Sequence, residues 1–571
     1  MSITSTRPAQ PALHALRHVG GKALGRLLGL PPATTDYTVQ RLRVPMRDGV
    51  DLVADHYAPN TASPAGTLLV RGPYGRAFPF SLVYGALYAA RGYHVVLQSV
   101  RGTFGSGGEF EPMANEVADG ADTAAWLREQ TWFTGRFATI GLSYLGYTQW
   151  ALLTDPPPEL AAAVITVGPH DFNESTWGTG SFAINDFLGW SDMVAHQEDP
   201  VRVRSALRQL RVRRDVARAA LGLPVGESAR ALLGAGAPWF ESWLEHTDRD
   251  DPFWDALRCG DALDRVDVPV LLISGWQDIF VRQTLQQYRR LRARGVDVAL
   301  TMGPWTHAQM LTSGLSTGAR ETLDWLGTHL GGAPARRPSR VHVCVTGQGW
   351  RNVADWPPAT TERALYLRPG GHLGETAPTG LPRLAPATFR YDPADPTPTT
   401  GGPLLSPDGG YRDDSRLATR DDVLAFTSLT LTHDLCVYGS PVVELVHGAD
   451  TPHVDLFVRV SEVDANGRSK NVSEGYRRLD NAVKSSKKSV RVELDGTAHR
   501  FRAGSRIRVL IAGAWFPRYT RNLGTDEPIL TGRQSRPATH TVRYGRSRLL
   551  LPVGPPDLSA NGSADAGGDL G

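Results

Sequence analysis

The sequence predicts an α/β core interrupted by a helical insertion and followed by an all-β domain. Three observations predict this. Short apolar runs alternate with amphipathic stretches from residue 37 to about 335. The alternation breaks once, between Pro169 and Asp264, where only helical spacing survives. Beyond Arg337 helical spacing nearly vanishes, and short alternating segments are joined by Pro, Gly, Asp and Asn turns. Buried strands separated by helices make a mostly parallel sheet, and 571 residues are too many for a single hydrophobic core.

Residues 1–36 form a basic segment, with no acidic residue before Asp36. "PALHALRHVGGKALGRLLGL" reads as an amphipathic helix broken by Gly20 and Gly21. A membrane-surface anchor and a helix packed on its own domain both fit, and the second is preferred. His14 and His18 are four apart without a third ligand type, so no metal site is read there. Residues 37–169 are the first part of the core. "YTVQRLRVPMRDGVDLVADHYAP" alternates around Asp48-Gly49, a hairpin signal. "TLLVRG", "GYHVVLQSV", "FATIGLS" and "AAAVITVG" then read as buried strands. Residues 170–264 are read as a helical cap, rich in Arg, Ala and Leu at helical spacing and carrying Trp177, Trp190, Trp239 and Trp243. "VPVLLISG" and "VDVALTMG" resume the core over 265–335. Residues 336–553 are the β domain, with turns such as "DANGR" and "LDGTA", and 554–571 read as a disordered tail.

The bulk numbers exclude several classes. Sixty-one basic and 58 acidic residues leave a net charge of +3, which points away from a nucleic-acid partner. No apolar run approaches the roughly 18 residues of a membrane span, and no signal peptide is evident. Cys259, Cys344 and Cys436 are odd in number and far apart, which favours a reducing, cytoplasmic setting over a disulfide framework. No cofactor is expected. The partner expected is a small-molecule ester or amide substrate; a homodimer is compatible with the sequence.

The chemistry centres on "ATIGLSYLGYTQWALL". Ser143 follows a predicted strand and precedes a predicted helix, the setting of a nucleophile elbow. The usual pattern is G-x-S-x-G. Here the second glycine, Gly146, comes one place late. The rival reading is a serine that merely caps a helix. A serine nucleophile needs a base, and the base needs an orienting acid. "VLLISGWQDIF" puts Asp278 after one strand, and "VALTMGPWTH" puts His307 after the next. The order Ser, Asp, His is that of α/β-hydrolases, and strand C-termini are where open α/β sheets place their sites. His170, after "AVITVGP", is a less favoured base.

These residues sit within longer matching stretches: "RVPMRDGVDLVADHYAP", "RGPYGR", "RGTFGSGGEF", "DTAAWLREQTWFTGRFATIGLSYLGYTQW", "SGWQDIF", "GPWTH", "YDPADPTPTTGG" and "WFPRYTRNLGT". With them the chain resembles the CocE/NonD family of serine hydrolases, the cocaine esterase and X-prolyl dipeptidyl peptidase group, over about residues 38–550. The resemblance implies an α/β-hydrolase core, a helical cap and a C-terminal jelly roll. It implies Ser143 as nucleophile, His307 as base and then acid, and Asp278 as orienter. It implies an oxyanion hole made by the Tyr74 hydroxyl and the backbone N–H of Tyr144. The late glycine is then the family's own version of the elbow. One departure is Ser99, where the family has Asp before "RG"; a supporting polar contact should differ there. The glycine-rich "GTFGSGG" lacks a following "GK[ST]" and is read as a family loop, not a phosphate site.

The acyl group is the open question. Relatives that take α-amino acid esters or peptides need carboxylates for the ammonium. Here Ile279 and Phe280 follow Asp278, matching the cocaine-esterase-like type. Trp177 and Trp190 match aromatic pocket positions of that type. An apolar or aromatic acyl group is therefore expected over a charged amine, while Asp171 and Glu174 near the cap entry leave ammonium binding open. The alternatives are an X-prolyl dipeptidyl peptidase, an amidase, an acyltransferase, or a binding protein that acts through its β domain.

Overall fold

The computed structural model describes residues 20–199, 202–380, 384–480 and 489–558. Ten strands form the first sheet: β1 (Tyr37–Pro45), β2 (Asp51–Pro59), β3 (Gly66–Gly72), β4 (Tyr93–Ser99), β5 (Phe137–Leu142), β6 (Leu160–Thr166), β7 (Val270–Gln277), β8 (Val298–Thr306), β9 (Val341–Val345) and β10 (Gly349–Val353). Their order is β1-β2-β4-β3-β5-β6-β7-β8-β9-β10. From β4 through β9 every neighbouring pair is parallel; β1–β2, β2–β4 and β9–β10 are antiparallel. Alternate residues face opposite sides. Leu68, Val70, Ala138 and Ile140 pack with Leu87, Trp325 and Leu326 on one face. Leu69, Val96, Ile165 and Leu300 pack with Leu127, Trp150 and Tyr288 on the other. Both faces are buried, which is why these strands read as continuous apolar runs.

The insertion between β6 and β7 is helical, with Phe172–Trp177, Ile184–Ala195, Arg202–Leu221, Val225–Leu233 and Trp239–Glu245 as its main helices. A second, 12-stranded sheet system follows β10. Its central strand, Ala538–Gly554, pairs with Thr361–Arg368, Ala387–Tyr391, Leu435–Gly439 and Val442–Ala449. Leu365, Leu367, Val443, Leu445, Leu456 and Val458 lie in its separate core.

Two expectations need adjusting. The first sheet runs past the boundary expected at residue 336. β9 pairs parallel with β8, and Val341, Val343 and Val345 are fully buried against it, so the apolar edge of the first sheet gains a partner. Of the disordered tail expected from 554, the described residues are packed: Leu558 is buried, and the carbonyls of Pro555 and Pro556 accept from Tyr438 and Gln348. The remainder, 559–571, lies outside the described residues.

Of the basic N-terminal segment, residues 1–19 also lie outside them. Residues 20–27 are helical, and whether the expected helix breaks at Gly20 and Gly21 turns on residues outside those described. Leu24, Leu28 and Leu30 pack on the core face with Leu87 and Trp325. That is the packed reading, not the anchor, for the part described. No helix among the described residues is long and apolar enough to cross a membrane.

Candidate active site

Ser143 stands between β5 and the helix Tyr144–Leu152 with φ 59° and ψ −123°. A side chain there is sterically strained, and such strain persists only where the surroundings enforce it. The Ser143 N–H donates to the Thr166 carbonyl, at the end of the adjacent β6. Ser143 caps nothing with its side chain. The rival reading as a helix-capping serine therefore has no geometric support.

The displaced glycine has a packing explanation. Leu145 occupies the position where the usual motif has glycine, and it lies where a Cβ on Gly72 of β3 would collide with it. The room is made on the neighbouring strand. Gly146 meets the Gly168 backbone so closely that an added Cβ would lie 2.6 Å from Gly168 Cα.

β7 and β8 pair in parallel, and a register shift after Gly275 sets Gln277 opposite Thr306, so the loops after them emerge side by side. This brings Asp278 to His307. His307 Nδ1 lies 2.7 Å from Asp278 Oδ1. Asp278 is fully buried, and its other oxygen accepts from the Phe280 N–H at 3.1 Å and the Ser274 hydroxyl at 3.2 Å. With Nδ1 held by the carboxylate, Nε2 is the nitrogen left for proton transfer. The Phe280 ring meets the His307 ring edge-on, 5.3 Å between centroids.

Tyr74, in the loop after β3, lies beside the elbow, its ring edge-on to that of Tyr144 with 6.4 Å between centroids. Its hydroxyl accepts from the Trp190 indole N–H at 3.0 Å. Burial raises the Tyr74 pKa, opposed by Trp190 and Ser143, so the phenol stays protonated at neutral pH. Trp190 lies parallel to the Tyr144 ring, within 10° and 6.2 Å. Trp177, expected beside it, is packed inside the cap: its indole donates to the Trp243 carbonyl, and its ring lies 5.3 Å from Phe182. The structure thus brings Ser143, Tyr74, Tyr144 and Trp190 into one cluster, and Asp278, His307 and Phe280 into another at the same strand ends. Trp177 contributes to the cap core.

His170 is engaged elsewhere. Its Nδ1 contacts the Gln287 side-chain amide at 3.1 Å, and burial drops its pKa to about 3. The acids near the cap entry are also committed. Asp171 caps the helix Phe172–Trp177 by accepting from the Glu174 N–H, and it faces Arg258 at 3.7 Å. Glu174 is paired with Arg249. A third cap acid, Asp186, is buried and accepts from the Leu405 N–H at 3.0 Å; burial raises its pKa.

Two supporting contacts stand behind the site, and the first was not foreseen from the sequence. The Tyr144 hydroxyl donates to Glu116 at 2.9 Å and accepts from the Met113 N–H at 2.8 Å. Glu116 in turn pairs with the buried Arg71 at 3.1 Å. The anchored ring fixes the residue whose backbone N–H follows Ser143. The signal was present: Glu116, Asp119 and Thr123 share a helix face with the buried Ala124 and Leu127. The second contact concerns Ser99, whose hydroxyl accepts from Arg76. A carboxylate still faces Arg76, but it comes from Asp55 on β2 at 3.4 Å.

Among the described residues no group of three or more His, Cys, Asp or Glu side chains is placed to hold a metal ion. The three cysteines are free and buried.

Two family models match the chain in tandem. The X-Pro dipeptidyl-peptidase (S15 family) model covers residues 48–309, and the X-Pro dipeptidyl-peptidase C-terminal non-catalytic domain covers 334–549. Together they span most of the chain, which belongs to the X-Pro dipeptidyl-peptidase (S15) family. Cocaine esterase of Rhodococcus sp. (strain MB1 Bresler) is 29% identical over 91% of this chain and 99% of that protein. Among solved structures, an aminopeptidase from a marine sediment Thaumarchaeota archaeon superposes with a TM-score of 0.78 at 24% identity, covering 92% of this chain and 97% of its own. An α-amino acid ester hydrolase superposes with a TM-score of 0.78 at 23% identity, covering 96% of this chain and all of its own. These two likenesses establish the fold. As a member of that family the chain is a serine hydrolase, with an α/β-hydrolase core and a C-terminal β domain.

Proposed function

We propose that this hydrolase cleaves carboxylic esters with an apolar or aromatic acyl group, through an acyl-enzyme on Ser143. The observation that carries the reading is the pair of arrangements at the strand ends. His307 is held by Asp278 at 2.7 Å, and Ser143 stands in a strained elbow at the end of β5 with φ 59°. His307 Nε2 takes the Ser143 proton as Oγ attacks the ester carbonyl. The tetrahedral oxygen is held by the Tyr74 hydroxyl and the Tyr144 N–H. His307 then protonates the leaving alcohol, and the same base activates water to release the acid. The similarity to cocaine esterase supports an ester substrate.

Two features support an uncharged acyl group. Phe280 stands beside His307. Asp171 and Glu174 are already paired with arginines. The expected result is faster turnover of p-nitrophenyl butyrate or benzoate than of aminoacyl-proline anilides. Faster cleavage of the free-amine substrates would contradict it and direct attention to Asp186, the buried cap acid without a basic side chain among its hydrogen-bond partners.

Tyr74→Phe tests the oxyanion role. The hydroxyl donates to an oxygen that becomes anionic only in the transition state, so the loss should fall on kcat, with KM nearly unchanged. Removing one such donor costs about a hundred- to a thousandfold. The ring and its stacking on Phe80 survive, so Tm should move little. Turnover within about threefold of wild type would remove Tyr74 from the mechanism.

The three unpaired thiols also support a reducing, cytoplasmic setting.

A further inference from the structure

We infer that Trp190 is a positioning residue that aims the Tyr74 proton at the reacting oxygen, so that the cap completes the oxyanion hole. The inference rests on the oxyanion role proposed for Tyr74.

A phenol carries one proton and can both donate and accept. An indole N–H can only donate. Trp190 Nε1 lies 3.0 Å from the Tyr74 oxygen, so in this bond Tyr74 must be the acceptor. Its own proton is then left for an oxygen reacting at the Ser143 elbow. A tyrosine without the indole could turn its hydroxyl in the ring plane away from Ser143. The indole bond also draws electron density from the phenol oxygen, in the direction that makes it a stronger donor.

The cap holds the same loop a second time. The Gln197 side-chain amide donates to the Pro73 carbonyl at 3.0 Å, one residue before Tyr74. Trp190 lies on the cap helix Ile184–Ala195, and Gln197 follows its end. Two hydrogen bonds from one cap segment thus reach consecutive residues of the loop that carries the donor. The Trp190 face is meanwhile fixed against Tyr144, whose N–H is the other donor. One side chain touches both halves of the oxyanion hole. This role differs from lining the acyl pocket, because it acts through Tyr74 and not through contact with substrate.

The test is a double-mutant cycle in steady-state kinetics on p-nitrophenyl butyrate, with thermal melting as the folding control. Trp190→Phe keeps an aromatic ring and removes the N–H. It should lower kcat about tenfold, the scale of one well-placed hydrogen bond, with KM within about twofold. In the Tyr74→Phe background the same change should cost almost nothing, because no phenol proton is left to aim. If Trp190→Phe does not fold, benzothienylalanine at position 190 has the same bicyclic outline without an N–H and carries the same expectation. A kcat loss of equal size in both backgrounds, or a rise in KM with kcat unchanged, would overturn the inference and leave Tyr74 in place. An unchanged kcat for Tyr74→Phe alone would sink the oxyanion role itself, a different result from either.

Discussion

Ser143→Ala should lose roughly a millionfold in turnover, the scale on which removal of a triad serine disables the machinery that acts as a unit. The residual rate should be that of an oxyanion hole and a bound ester without a nucleophile. The fold should survive, because Ser143 makes no capping bond with its side chain and its backbone bond to Thr166 is independent of the side chain. Alanine keeps the strain at φ 59°. Glycine would release it, since strained non-glycine positions cost about 1–3 kcal/mol. Ser143→Gly should therefore be as inactive as Ser143→Ala and melt higher. An alanine variant retaining more than about a tenth of wild-type turnover would mean that another group is the nucleophile.

Asp278→Asn should lower kcat about ten-thousandfold. The substitution is nearly isosteric, and the second oxygen's bonds to Ser274 and the Phe280 N–H can persist through the amide oxygen. The amide nitrogen would then face His307 Nδ1 as a donor. The ring would have to accept there, carry its proton on Nε2, and lose its capacity as base toward Ser143. The loss should shrink at high pH only where hydroxide replaces the base. A variant within about tenfold of wild type, correctly folded, would make Asp278 a structural partner of His307 and nothing more.

Much of this was legible in the sequence, for reasons that differ from residue to residue. β3, β5, β6, β7 and β8 are buried on both faces, so their apolar runs announced them. The order Ser143, Asp278, His307 followed from reading each residue against a strand end, and the register of β7 with β8 brings the last two together. The late glycine was legible as a departure but not as a compensation. Gly72, which makes the space, lies far away in sequence and becomes a neighbour only through sheet pairing. β9 and β10 could not be assigned to the first sheet, because "VHVCV" reads alike on either side of a domain boundary. The four cap tryptophans could be counted but not sorted. Trp190 reaches Tyr74, whereas Trp177 spends its N–H on the Trp243 carbonyl. Periodicity says that a ring is buried, and the N–H partner is decided by tertiary packing.

The most direct test of the account is covalent labelling of the folded protein with a fluorophosphonate, followed by mass spectrometry of its peptides. The prediction is a single adduct on Ser143 that appears in step with loss of ester hydrolysis and is absent from Ser143→Ala. An adduct on another residue, or no adduct on a protein that still hydrolyses esters, would contradict the account.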